Sequence, residues 1–404
     1  DLDGFKLVND SLGHAAGDAV LAEVGARLRA CVRNSDIVAR LGGDEFAVLL
    51  ADFETLHEVI AVAERVLDQI SRPFDLTGQD VFIGASVGIA VSDPTSPDAD
   101  ALVRDADLAM YHAKRTGKGR YEVFRPEMQE AFEKTVTLAT DLRLALERDE
   151  FVVYYQPICT LADEELIGLE ALVRWQHPTR GMVAPMEFIP AAEETEMIIP
   201  IGHWVLRQAC RSAFEWNRQR ALAGLPELTV HVNVSTRQLR GDTAKSVADV
   251  LRETGLAASR LVLEITESHQ ALDLTQVCHQ LQRLKDLGVG LAIDDFGTGF
   301  SSLLALREFP IDTIKMDKSF VDDLDERGDR ADLARAIVQL GRTVRRDVIA
   351  EGIESDSQRR ALLDFGCRLG QGYLLGKPLG HAATTALVSE ARLSAGLHRH
   401  AGAH

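Results

Sequence analysis

Apolar residues in the C-terminal two thirds of the chain fall into eight short runs, and segments with helical spacing separate most of them. The runs occupy residues 151–157, 166–175, 228–235, 260–267, 288–295, 311–317, 346–352 and 367–375. Strands that alternate with helices over this length predict a TIM-type (β/α)8 barrel. No clear helix separates the first two runs, so we expect the barrel to be irregular there.

The first 124 residues have a different pattern. Apolar residues from Val20 to Val32 recur at helical spacing, and two short apolar runs flank the Gly-rich segment 42–45, which predicts a β-hairpin. A helix over 55–70, a strand over 81–91 and a helix over 100–117 follow. This mixture predicts an α/β layer fold.

The change of pattern divides the chain. We predict a first domain over residues 1–124, a linker helix over 125–147, a barrel domain over 148–395 and a tail over 396–404. The chain begins inside a motif and without an initiator Met. We therefore expect it to be part of a longer protein.

Charge and cysteine content narrow the functional classes. Asp and Glu number 62 against 44 Lys and Arg, a net charge of −18, which argues against binding a nucleic-acid polymer through its phosphates. A small phosphate ligand held through cations remains open. The five cysteines are scattered and no apolar run is long enough to span a bilayer, so we expect reduced thiols and a cytoplasmic location. Membrane contact is expected only through regions outside this chain.

Polar residues mark the ends of nearly all the predicted barrel strands. They are Glu170, Asn233, Glu264 with Glu267, Asp294 with Asp295, Lys315 with Asp317, Glu351 and Gln371. Because the C-terminal ends of barrel strands meet at one rim, we expect these side chains to converge. His112, His231 and His279 are interpreted as core or surface residues.

So many carboxylates cannot all stay ionised side by side without cations. Oxygen ligands favour Mg²⁺ or Mn²⁺, and the adjacent Asp294 and Asp295 could bridge two ions. Such a pair can clamp the attacking and leaving oxygens of an in-line phosphoester displacement. Lys315 is then a candidate to position the attacking water or to neutralise charge on phosphorus.

The second half resembles the EAL-domain family. The resemblance rests on EAL (170–172) with Arg174 and the motifs NVS (233–235), EITE (264–267), DDFGTG (294–299), KMD (315–317), EGIE (351–354) and QGY (371–373), in family order. EAL domains are cyclic-di-GMP phosphodiesterases that open the cyclic dinucleotide to linear pGpG with two Mg²⁺ or Mn²⁺ ions, and the barrel usually works as a dimer.

The resemblance implies a role for each matching residue. Glu170, Asn233, Glu264 and Asp294 would bind the first metal ion, and Asp294 and Asp295 the second, supported by Glu351 and Asp317. Lys315 would hold the catalytic water, and Glu267 would anchor the DDFGTGF loop. Gln156, Arg174 and Gln371 would bind the dinucleotide. The implied catalytic set is Glu170, Glu267, Asp295, Lys315 and Glu351.

The first half resembles a GGDEF domain, the diguanylate cyclase fold, through GGDEF (42–46), DLDGFK (1–6), Asn9 and GHAAGD (13–18). The N-terminal portion of such a domain would precede Asp1. The resemblance implies that Asp1 and Asp44 hold Mg²⁺ on GTP. Further GTP contacts would come from Asn9, Asp18, Gly42, Gly43, Glu45, Lys114 and Lys118. Arg33 and Asp36 resemble the RxxD inhibitory site for the product dinucleotide.

Three functions remain open at this point. The first is a cyclic-di-GMP phosphodiesterase whose GGDEF domain binds GTP as a regulator. The second is a bifunctional enzyme whose net output is synthesis of the dinucleotide. The third, in which catalysis is lost, is a silent receptor, and the complete set of acids disfavours it.

Overall fold

The computed structural model describes residues 1–76, 79–92, 98–266, 274–297, 306–322, 324 and 329–389. The chain divides into two compact units between Thr137 and Leu138. Within the described ranges, every helix is too short or too polar to cross a membrane.

The first unit combines helices with short strands. Its helices are α1 (Phe5–Leu12), α2 (His14–Ala30), α3 (Leu56–Ile70) and α4 (Ala99–Arg115), and α5 (Pro126–Ala145) begins in it. Its strands are β1 (Leu2–Asp3), β2 (Ile37–Gly42), β3 (Glu45–Leu49), β4 (Phe74–Leu76), β5 (Gln79–Val81), β6 (Gly84–Ala85), β7 (Val87–Ile89) and β8 (Tyr121–Val123). The α/β content is as predicted, and α5 occupies the segment predicted to be the linker helix.

The predicted hairpin is confirmed. β2 and β3 pair antiparallel, with Val38 opposite Val48. Gly43 turns the chain at a φ of 50°, in the left-handed region that glycine adopts without a steric penalty. Arg40 Nη2 donates to the Gly43 carbonyl at 2.7 Å, which fixes the turn.

The single strand predicted over 81–91 is wrong, because the segment forms parts of three strands. β5 pairs with β4, β6 with β1 and β7 with β8, and only the last pair is parallel. Each of these three short strands therefore pairs with a different strand. The packing is tight: a Cβ built on Gly88 would lie 1.9 Å from the Ala106 carbonyl oxygen, so α4 lies directly on β7.

The second unit contains the barrel. Its strands are β9 (Phe151–Thr160), β10 (Leu166–His177), β11 (Gly181–Val183), β12 (Thr229–Val234), β13 (Leu261–Thr266), β14 (Gly290–Phe296), β15 (Thr313–Met316), β16 (Asp347–Ala350), β17 (Leu369–Gly370) and β18 (Leu379–Gly380). Its helices include α6 (Pro185–Glu194), α7 (Ile198–Leu222), α8 (Thr243–Thr254), α9 (Leu274–Asp286), α10 (Ser319–Asp322), α11 (Asp329–Val344), α12 (Asp356–Phe365), α13 (His381–Leu387) and the 3₁₀ turns Gln238–Arg240 and Ala258–Arg260.

Eight strands close the barrel in the order β9, β10, β12, β13, β14, β15, β16, β17. Neighbours from β10 to β17 are parallel, whereas β9 is antiparallel to both β10 and β17. The predicted TIM-type barrel and its irregular first strands are both confirmed. The last predicted strand shortens to two residues, because the backbone of Gln371 bonds to Ala350 and Ile353 and the chain then turns.

Alternation along the strands decides which residues reach the barrel interior. In β13, Leu261, Leu263 and Ile265 are buried in the apolar core. Glu264 points to the opposite face, because successive side chains of a strand alternate. This face is the interior of the barrel, where Glu264 is fully buried.

Arg220 stabilises the packing of α7. Its Nη1 donates to the Val388 carbonyl at 2.7 Å and its Nε to the Pro226 carbonyl at 2.6 Å. The substitution Arg220→Lys removes the forked donor and leaves buried carbonyls unsatisfied, so we expect the free energy of unfolding to fall by about 2 kcal/mol. Chemical unfolding followed by circular dichroism measures it. The exposed Arg218 on the same helix is the control, and equal midpoints for R220K and R218K would contradict the assignment.

Candidate active site

One buried lysine lies at the centre of the predicted cluster. Lys315 Nζ is 2.7 Å from Glu264 Oε2, 2.7 Å from Glu351 Oε1, 3.1 Å from Asp294 Oδ1 and 3.4 Å from Glu170 Oε2. Its side chain is 1% exposed. The structure therefore brings together, at one end of the barrel, acids from β10, β13 and β14 and the acid that follows β16.

Amide side chains complete the surroundings of Glu170. Asn233 Nδ2 donates to Glu170 Oε1 at 2.9 Å, and Gln371 Nε2 donates to Glu170 Oε2 at 2.7 Å. Gln371 Nε2 also lies 2.9 Å from Gln156 Oε1, and Gln156 in turn donates to the Gly376 carbonyl. Four residues predicted to be site residues thus form one hydrogen-bonded network, in which Gln156, Glu170 and Gln371 are buried and Asn233 is exposed.

Asp294 and Asp295 are adjacent in sequence, and a regular strand would point them to opposite faces. The pairing of β14 with β15 shifts register between Ile293 and Phe296, and Asp295 has a φ of 53°. This irregularity lets both carboxylates approach Glu351, and one ligand oxygen from each of the three lies within 4.8 Å of the others. A left-handed non-glycine residue costs about 1–3 kcal/mol and is typical of functional sites.

A cavity of about 290 Å³ lies at this end of the barrel, and the predicted residues that line it are Gln156, Glu170, Asp294, Lys315, Glu351 and Gln371. Besides the predicted residues, Lys318, Glu354 and Tyr373 line it, and the sequence analysis assigned them no role. The signal was present, because Lys318 follows the KMD motif directly and the other two lie within the EGIE and QGY motifs.

The charges in the cluster are unbalanced. Burial opposes the charge of Lys315, but Glu170, Glu264, Glu351 and Asp294 raise its pKa well above the ordinary value, so it is an ammonium ion. Burial likewise opposes ionisation of Glu170, yet Lys315 and the hydrogen bonds from Gln371 and Asn233 lower its pKa. One cation therefore stabilises part of the carboxylate charge.

The other acids hold protons more strongly than usual. Burial raises the pKa of Glu264 and of Glu351 well above the ordinary value, in spite of Lys315. Burial, together with the charges of Asp294 and Asp317, raises the pKa of Asp295. The cluster thus has a need for additional positive charge that Lys315 alone does not meet.

His231 contacts this cluster, although the sequence interpretation made it a core or surface residue. It lies on β12, two residues before Asn233, and its Nδ1 is 2.8 Å from Glu264 Oε1. Burial and the charge of Lys315 lower the pKa of His231 to about 3, so the ring is neutral. The spacing of two residues along a strand was the available signal.

Other predicted residues lie farther from Lys315 or outside the described ranges. Asp317 Oδ1 accepts from Ser319 N at 3.0 Å at the start of α10. Arg174 lies on β10 at the same face as Glu170 and stacks over Tyr154, with its guanidinium carbon 5.8 Å from the ring centroid. Glu267 and the last three residues of the DDFGTGF loop, 298–300, lie outside the described residues.

The first unit brings some of its predicted residues together. Lys114 Nζ is 2.7 Å from Asp1 Oδ1. Asp3 accepts from Gly119 N at 3.1 Å, beside the predicted Lys118.

Asn9 on α1 lies against Gly17 on α2, and the predicted Asp18 follows Gly17. A Cβ built on Gly17 would lie 2.0 Å from Asn9 Oδ1, so only glycine at position 17 leaves room for the Asn9 side chain. At the RxxD motif, Asp36 Oδ2 accepts from Arg33 N at 2.8 Å, and the Arg33 guanidinium pairs with Glu58.

The geometry agrees with the family comparisons. A family model of the EAL domain matches residues 139–378 of the sequence. The chain belongs to the EAL domain family. The model of the diguanylate cyclase GGDEF domain matches residues 1–120, as the resemblance implied.

Curated relatives match the chain across both of these domains. The chain is 42% identical to the bifunctional diguanylate cyclase/cyclic di-GMP phosphodiesterase MucR of Pseudomonas aeruginosa, over 94% of this chain and 55% of that protein. It is 40% identical to the cyclic di-GMP phosphodiesterase PdeR of Escherichia coli, over 94% of this chain and 56% of that protein. The chain spans about half the length of the curated relatives it matches.

The second unit is similar to a solved structure. The MucR phosphodiesterase in complex with c-di-GMP matches with a TM-score of 0.58 and 40% identity, covering 61% of this chain and 99% of that chain.

The raised carboxylate pKa values predict a pH-dependent stability. Above the ordinary Glu value of 4.5, Glu351 keeps a proton in the folded state that it loses on unfolding, so the folded state binds more protons. Stability then falls as pH rises. In buffer with chelator we expect the thermal midpoint to fall between about pH 5 and pH 8, and to fall less in E351Q.

The control for this experiment is D364N, which alters an exposed acid on α12. Parallel pH profiles for wild type and E351Q would contradict the assignment.

Proposed function

We propose that the barrel unit hydrolyses cyclic-di-GMP to linear pGpG. The observation that carries the proposal is the convergence of Glu170, Glu264, Asp294 and Glu351 on the single buried Lys315. Relatives named as cyclic di-GMP phosphodiesterases, and a related barrel solved with c-di-GMP, support the choice of substrate.

The residues fit divalent cations. Gln371 Oε1 is buried and accepts no hydrogen bond among the described residues. Asp294 Oδ1 is also buried without an aligned hydrogen-bond donor in that part of the chain, and the Lys315 ammonium lies 3.1 Å from it. The donors are oxygens, as Mg²⁺ and Mn²⁺ prefer. We assign one ion to Glu170, Asn233, Glu264 and Asp294, and a second to Asp294 and Asp295 with Glu351 and Asp317. The ions would supply the charge that polarises the scissile phosphate and lowers the pKa of water.

The chain's own residues perform the other steps. A water oxygen bonds to phosphorus as one phosphoester bond to a ribose oxygen breaks. The water loses one proton and the leaving ribose oxygen gains one, so the ring opens to the linear product. Lys315 Nζ, fixed by its acid neighbours, donates hydrogen bonds that orient the water and stabilise the negative charge developing on phosphorus. Gln156, Gln371 and Arg174 bind the dinucleotide, and Glu267 anchors the loop after β14.

Removing a shared ligand tests the hydrolytic proposal. Asp294→Asn keeps the size of the side chain but removes charge between the two proposed ions, so we expect kcat for pGpG formation to fall at least about 100-fold. Chromatography of the nucleotides, with Mn²⁺ and with chelator, measures it. Full activity in D294N, or in chelator, would overturn the proposal.

The exposed Asp364 again provides the control, since D364N removes the same charge outside the cavity. Retained binding of the dinucleotide by the wild type without any pGpG would instead favour the silent receptor.

We further propose that the GGDEF unit binds GTP with Mg²⁺ and regulates the barrel. The ion pair between Asp1 and Lys114 supports a site for Mg²⁺ and phosphate, to which we also assign Asp44, Glu45, Lys118, Gly42 and Gly43. Asn9 and Asp18 would read guanine, and Arg33 with Asp36 would bind the product dinucleotide. Synthesis of the dinucleotide from GTP alone would favour the bifunctional alternative. A homodimer, measured by light scattering, is the expected assembly.

The close approach at Gly17 gives a specific test of GTP binding. Gly17→Ala places a Cβ against Asn9 Oδ1, so Asn9 must move, and we expect affinity for a fluorescent GTP analogue to fall about 10-fold. Gly25→Ala on the same helix is the matched control, because a Cβ there meets nothing within 4 Å. Equal affinity of the two variants would contradict the role of Asn9.

A further inference from the structure

A histidine links the metal-binding acids to the backbone of the barrel. His231 is 5% exposed and lies on β12, beside Glu170 on β10 and opposite Val262 on β13. Its ring reaches Glu264, the fully buried acid whose other oxygen, Oε2, lies 2.7 Å from Lys315 Nζ. Both oxygens of this carboxylate are therefore fixed by defined partners.

Both nitrogens of the ring have partners. The Thr229 hydroxyl donates to the Ile167 carbonyl at 3.4 Å, and its oxygen lies 3.3 Å from His231 Nε2. His231 Nδ1 lies 2.8 Å from Glu264 Oε1, so a hydrogen bond joins the ring to this carboxyl group.

Neighbouring residues make room for this arrangement. A Cβ built on Gly168 would lie 2.5 Å from Thr229 Oγ1 and 3.7 Å from His231 Cδ2. Glycine at this position of β10 thus allows the hydroxyl and the ring to lie against the strand. The contacts run from the backbone through Thr229 and His231 to Glu264.

We propose that His231 is a positioning residue for the metal site: its hydrogen bond with Glu264 Oε1 directs Glu264 Oε2 into the cluster where a divalent cation binds. The inference rests on the proposed function, because it assumes that Glu264 is a metal ligand. Hydrogen bonds that orient a ligating side chain commonly change metal affinity by about 10- to 100-fold when they are removed.

The test measures Mn²⁺ binding directly, through the electron paramagnetic resonance signal of free Mn²⁺, without substrate. His231→Val removes the hydrogen bond and fits a strand, and we expect about 10-fold weaker binding. His231→Asn keeps an amide near the position of Nδ1 that can hydrogen-bond to Glu264, so we expect affinity within about 3-fold of wild type. In turnover, H231V should need more Mn²⁺ to reach its kcat, with the KM for the dinucleotide unchanged.

Matched variants separate the explanations. His279→Val alters an exposed histidine on α9 and should bind Mn²⁺ as wild type does. Wild-type affinity in H231V would overturn the inference, as would equal losses in folded H231V and H231N, since packing alone would explain them. If H231V does not fold, H231Q replaces it. The longer side chain of Gln places its amide near the position of Nε2 and not of Nδ1, so H231Q should bind Mn²⁺ weakly and H231N normally. Equal Mn²⁺ affinities of H231Q and H231N would overturn the inference. No Mn²⁺ binding by the wild type would overturn the metal assignment itself.

Discussion

The burial of one ammonium group among carboxylates at the end of the barrel governs the properties of the second unit. Lys315 Nζ has four carboxylate oxygens within 3.4 Å, each from a different segment of the barrel. A buried charge is tolerated only where it is paired and hydrogen-bonded, so these segments must keep their positions relative to one another. The lysine thus fixes the rim, but a single positive charge leaves the acids with excess negative charge.

That excess connects stability with the proposed chemistry. Acids that would repel one another without cations are held close by the rigid apolar layer behind the strands, as with Leu263 and Ile265 behind Glu264. The arrangement is therefore favourable only when protons or metal ions supply charge. A site of this kind favours metal binding through its preformed geometry, because the fold has already brought the ligands together.

The order of elements and the members of the cluster could be predicted from the sequence, because the strand ends of a parallel barrel meet at one rim. The apolar runs locate the eight strands, and the missing helix after the first run indicates the irregular closure by β9. Local geometry could not be predicted in the same way. Strict alternation would separate Asp294 from Asp295, and only the register shift and the left-handed Asp295 bring both carboxylates close to Glu351. The three short strands over 79–89 depend on partners distant in sequence.

His231 shows why residue type alone is a weak guide to function. An isolated histidine in an apolar strand is more often part of the core, and no motif marks it. The role proposed for it depends on the register that places β12 beside β13, and on Thr229, whose hydroxyl oxygen lies 3.3 Å from His231 Nε2. The acids that we propose as metal ligands are therefore only one layer of the site. Neutral side chains form a second layer, in which Gln371 donates to Glu170 and His231 shares a hydrogen bond with Glu264.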